Sequence, residues 1–148
     1  MTHRQAPAAI ATALALAMCG LAGPAAAKSE IKGAAILDHA CGKVAVKQVG
    51  YLHAGKFEDA NKLSTKEMQE QWKAMPAKDK AMMHSMAKEM TPTEEQFTAQ
   101  VKATGVLVVD GPKATLTTKK TTKDKNGTAT ETTTQDFKIN GNECLLTR

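Results

Sequence analysis

Four methionines, Met82, Met83, Met86 and Met90, form the densest cluster of potential ligand atoms in the chain. Met82, Met86 and Met90 recur at i, i+4 and i+8, a spacing that puts them on one face of a helix, and His84 falls among them. Thioethers and imidazole together suit Cu(I). The same spacing serves any buried stripe, and methionine is a flexible core filler, so the sequence favours packing over a copper site. His39 stands beside Asp38 and close to Cys41. Nothing near it supplies a second histidine or a spaced cysteine pair, which a metal or thiol centre would need. The expectation is a capped helix start and no metal. His53 falls near a helix end, where a partly positive ring complements the dipole.

Catalysis has little to draw on. An enzyme needs a base and an oxyanion donor around one pocket. The chain has a single tyrosine, Tyr51. Its acids Glu58, Asp59, Glu67, Glu70, Asp79, Glu89, Glu94 and Glu95 fall mostly on outward faces of the expected helices. No catalytic constellation and no cofactor are expected.

The elements that would position these groups follow from periodicity. Residues 1–27 carry Arg4, an apolar run from Ala8 to Leu21 and the small residues Gly23-Pro24-Ala25-Ala26-Ala27. That is the pattern of a cleavable secretory signal, and the run is too short and too broken to span a bilayer. Leu16-Ala17-Met18-Cys19-Gly20 offers a weaker alternative, a lipid anchor at Cys19, with Met18 where a small residue usually stands. The expected working domain is a single unit over residues 28–148, periplasmic or secreted, of a length that buries one ordinary core. Of the formal charge of +5, Arg4 lies in the leader, which has no acid, so about +4 remains. Its lysines are scattered and its aromatics few, against the clustered cations and stacking rings that nucleic acid requires. Cys41 and Cys144 remain as an even pair, most simply a disulfide in an oxidising compartment.

The first half reads helical. Cys41, Val44, Ala45, Val49 and Leu52 mark an apolar stripe over 38–54, with Asp38 as N-cap and Gly55 as stop. Phe57 to Leu63 makes a short helix. Ser64 and Glu67 have the spacing of a capping box for a helix that buries Met68, Trp72 and Met75. A further helix runs over 77–90 with its methionines inward. Beyond Pro92 the pattern becomes threonine, valine and alternation, with Asp110-Gly111, Asn126-Gly127 and Asn140-Gly141 as turn signals. Four strands are expected, over 96–109, 114–122, 128–139 and 143–147, with a bulge at Gly105. Lys119, Lys120, Lys123 and Lys125 look solvated. Asn126-Gly127-Thr128 matches a glycosylation acceptor, which a hairpin turn also explains. The fold class is α+β, with N-terminal helices packed on a four-stranded antiparallel sheet.

Three stretches carry a family likeness: Val49-Gly50-Tyr51-Leu52-His53-Ala54-Gly55-Lys56-Phe57-Glu58-Asp59-Ala60, then Val108-Val109-Asp110-Gly111-Pro112-Lys113-Ala114-Thr115-Leu116, then Phe137-Lys138-Ile139-Asn140-Gly141. In order and spacing the chain resembles the NTF2-like, cystatin-like superfamily, in particular its small exported bacterial members. The resemblance implies a curled sheet clasped by helices into a cone, often with a pocket inside. Members include enzymes, small-molecule binders and interaction domains, so fold alone assigns no role. A pocket of that kind would be lined by Met68, Trp72, Met86, Phe97, Val101, Leu116 and Phe137, residues that could equally fill the core. The expected function is binding, of a small apolar ligand or of an envelope protein. The alternatives are a Cu(I) carrier through the methionine helix and an inhibitor or immunity-type partner of a secreted protein.

Overall fold

The computed structural model describes residues 28–125 and 127–147. The expected signal segment, Cys19 and the Asn126 turn position lie outside them. The elements are β1 (Ser29–Lys32), a 3-10 turn (Gly33–Asp38), α1 (Ala40–His53), α2 (Phe57–Lys62), α3 (Lys66–Ala74), α4 (Ala77–Met90), α5 (Glu94–Thr104), β2 (Val106–Asp110), β3 (Lys113–Asp124), β4 (Gly127–Asn140) and β5 (Glu143–Leu146).

The class is α+β as expected, but the sheet has five strands in the order β1-β2-β3-β4-β5, all antiparallel. The extra strand, Ser29–Lys32, pairs with β2 from Ser29↔Val109 to Lys32↔Val106. Its sequence, SEIK, has one apolar residue, so local alternation could not announce it.

The strand expected over 96–109 is corrected. Residues 94–104 are helical, and only 106–110 pair as a strand. Thr93 Oγ1 accepts from the Gln96 amide at 3.1 Å, and Gln96 Oε1 accepts from the Thr93 amide at 3.0 Å. This reciprocal cap starts α5, and Phe97 and Val101, four residues apart, then point into the core. Gly105 forms no bulge. It ends α5, its amide donating to the Val101 carbonyl at 2.8 Å, and a Cβ there would strike that carbonyl and Ile36.

Two expected caps also move. His39, not Asp38, caps α1, its Nδ1 accepting from the Cys41 amide at 3.2 Å. The Ser64–Glu67 capping box does not form: the N-cap of α3 is Thr65, with no side-chain cap bond. Ser64 is instead buried, bridged to Leu146 beside β5.

The core gathers Ile36, Cys41, Ala45 and Val49 from the first turn and α1, Phe97 and Val101 from α5, and Leu107, Ala114, Leu116, Phe137, Cys144 and Leu146 from the sheet. Gly42 is required where α1 crosses the 3-10 turn, since any Cβ would overlap the Ile36 carbonyl. β3 and β4 outrun their neighbours. β2 pairs only with 113–117 and β5 only with 137–140, so the remainder projects as a two-stranded ribbon. Thr104 fastens the root of that ribbon: its hydroxyl donates to the Lys119 carbonyl at 2.8 Å and accepts from the Lys119 amide at 3.0 Å.

Candidate functional site

Cys41, in the first turn of α1, and Cys144, on β5, form a disulfide with Cα atoms 5.0 Å apart. The bond pins the helical layer to the far edge of the sheet and closes a loop across 103 residues of sequence.

The seven residues named as a possible pocket lining are not brought together. Phe97, Val101, Leu116 and Phe137 belong to the buried core, none more than 3% exposed. Trp72 lies in a second, smaller cluster. Its ring stacks on Phe57 with centroids 5.6 Å apart, and its indole N–H donates to Glu58 Oε1 at 2.9 Å. Met68 is half-buried at a surface groove of about 470 Å³ that it shares with Thr65, Gln71, Lys138 and Leu145. Met86 faces solvent, 46% exposed.

A wider groove, about 630 Å³, runs between the end of α1, the α4–α5 junction and the ribbon root. Its wall mixes apolar side chains, Val49, Leu52, Met90 and Phe97, with amides, and the Gln135 Oε1 oxygen is buried without a hydrogen-bond partner. Gln135 Nε2 donates to Gln48 Oε1 at 2.9 Å, and Gln100 Nε2 donates to Thr118 Oγ1 at 3.1 Å. These amides tie α1 and α5 to the sheet.

The expectation that the methionines of α4 pack inward is overturned. Met82, Met83, Met86 and Met90 are 57%, 41%, 46% and 73% exposed, and α4 has no buried residue among its fourteen. The side of α4 that meets the rest of the molecule is the opposite one, with Lys80 and Ala87 half-buried and His84 still exposed but in ring contact. The His84 ring lies over Phe57 with centroids 3.9 Å apart, and the Lys80 ammonium sits 5.3 Å from the Trp72 ring centre. Two rings and a cation-π contact therefore dock the helix. Periodicity could locate the methionine face, but the partner rings on α2 and α3 decide that the other face packs.

Each histidine among the described residues has a structural engagement. His39 caps α1, His84 stacks on Phe57, and His53 Nδ1 donates to the Thr91 carbonyl at 2.9 Å, tying the end of α1 to the segment after α4. No group of three His, Cys, Asp or Glu side chains converges among the described residues. On α2, Lys62 donates to Asp59 at 2.8 Å and holds that carboxyl below the usual range, while the carboxylate raises the Lys62 ammonium in return. Both groups are solvated, so the pair contributes little to stability. No helix among the described residues is long and apolar enough to cross a membrane.

Comparison with family models, with curated proteins and with solved structures finds no match to this chain.

Proposed function

We propose that the chain is an exported binding domain that works through its surface, with the outward face of α4 as the contact region. One observation carries this reading. Among the described residues the exposed large hydrophobic side chains are Met82, Met83, Met86 and Met90, gathered on one helix. A contiguous apolar face held in water marks an interaction site, and flexible methionines suit contact surfaces that must adapt.

Four of the seven side chains expected to line an NTF2-like pocket are core residues. Phe97, Val101, Leu116 and Phe137 pack on one another with α1 behind them, which favours a surface over a hollow. The disulfide supports an oxidising compartment, periplasmic or extracellular. The three histidines among the described residues are each engaged in structure, which favours binding over catalysis.

The test replaces Met82, Met83, Met86 and Met90 together with glutamine, which keeps helix propensity and length while removing the apolar face. Native mass spectrometry of the wild-type protein taken from its own envelope should show a species bound at fixed stoichiometry, absent from an equally folded variant. A small apolar molecule retained by both proteins would place the site in the interior and overturn the surface reading.

A further inference from the structure

We propose that α4 binds one soft monovalent cation, Cu(I) or its redox-inert analogue Ag(I), through the thioethers of Met82, Met83 and Met86. The proposal rests on the reading of the outward face of α4 as the working surface and names its ligand class.

The three positions form a triangle on the helix. Met82 and Met86 are one turn apart at i and i+4, Met83 and Met86 are at i and i+3, and such pairs have Cβ atoms about 5–6 Å apart. At about 100° per residue, Met82, Met86, Met90 and Met83 all fall within an arc of about 100°. Methionine is unbranched with three rotatable bonds, so three sulfurs can close on one ion without backbone movement. Being 41–57% exposed and outside the core, they give up little packing when they turn toward an ion.

Residue choice separates a metal site from a general apolar face. The large apolar side chains of α4 are all methionine, and its remaining apolar residues are alanines. Among the described residues the buried hydrophobics include no methionine. Where this fold needs apolar volume it uses Ile, Val, Leu, Phe and Trp. Methionine is concentrated where sulfur meets water.

Thioether donors select Cu(I) over Zn(II), Mg(II) or Ca(II), which prefer imidazole, thiolate or oxygen. Asp79 and Glu89 lie on the same side of the helix as the triad, with Lys78 at its border, so carboxylates bracket the cation. His84 faces the other way, over Phe57, and is not a ligand. A thioether carries no proton in this range, so binding is independent of pH between about 5 and 8, where imidazole titrates.

The experiment titrates the exported protein, purified from its own envelope, with Ag(I) in chloride-free buffer against a competing chelator. The methionine methyl groups are followed by NMR. The expected result is one ion per chain, with the Met82, Met83 and Met86 methyls moving together and those of Met68 and Met75 still. A lost ligand should weaken uptake at least as much as a lost outer-shell partner, about 10–100-fold for each single glutamine variant. His84→Phe, which keeps the ring stack, should leave uptake unchanged. Uptake no tighter than the chelator, movement confined to Met68 and Met75, or affinity that falls as imidazole protonates would overturn the proposal. If silver is not bound but the four-methionine variant still loses its envelope species, the metal is wrong and the surface reading stands. If both measurements ignore the methionines, both readings fall.

Discussion

The body of this molecule and its α4 arm solve opposite problems with the same kind of sequence pattern. In the body, apolar residues at helical spacing, Cys41, Ala45 and Val49 on α1 and Phe97 and Val101 on α5, turn inward against the sheet. On α4, apolar residues at the same spacing turn outward, and the helix is held by the ring contacts of His84 and Lys80 and by its place beside α1. The difference lies in what each helix finds opposite it. α1 and α5 face a broad apolar sheet, whereas α4 lies outside that layer, beside α1 and against the rings of Phe57 and Trp72. A narrow aromatic seat takes an imidazole and an alkyl-ammonium group, and leaves the methionines to water.

If that contrast is sound, damage to the body should be costly and damage to the outward face of α4 nearly free. The largest effect is expected from Cys41→Ser with Cys144→Ser. Opening a loop of this size removes up to about 4–5 kcal/mol in the chain-entropy model, to be read as a lowered urea midpoint. A loss below ~1 kcal/mol would show that the two layers hold without the bond. Next comes Phe137→Ala, which empties a fully enclosed ring site and should cost about 3–5 kcal/mol by the same measurement. Thr93→Ala removes one half of the α5 cap and should cost about 1 kcal/mol, with hydrogen exchange rising first at Gln96. Each of Met82→Gln, Met83→Gln, Met86→Gln and Met90→Gln should stay within about 0.5 kcal/mol of the parent. A destabilisation of several kcal/mol at any of them would mean that α4 packs by its methionine face after all.

Much of the architecture is legible in the sequence. α4 begins and ends at the expected residues because Pro76 and Pro92 bracket it, and β3 to β5 follow their alternation and turn glycines. Gly111 and Gly141 take positive φ, 56° and 61°, in the turns marked by Asp110-Gly111 and Asn140-Gly141. The pairing of Cys41 with Cys144 also followed from counting.

What escaped has physical causes. α5 reads as a strand in sequence because threonine and valine dominate its surroundings, and of two stretches with capping-box spacing, Ser64–Glu67 and Thr93–Gln96, only the second forms the cap. Ser64 was unavailable as a cap because tertiary contact with Leu146 claims that stretch of backbone. β1 is too short to show a period. The direction of the α4 stripe could not be read locally at all, since a helical repeat identifies two faces and only the neighbouring rings choose between them.

The sulfur bridge has a last consequence. By joining α1 to β5 it makes the polypeptide a closed ring, and α4 lies on the circumference of that ring. A protease that nicks α4 would therefore leave both pieces travelling as one molecule. They would run intact on a gel and part only when a reductant is added.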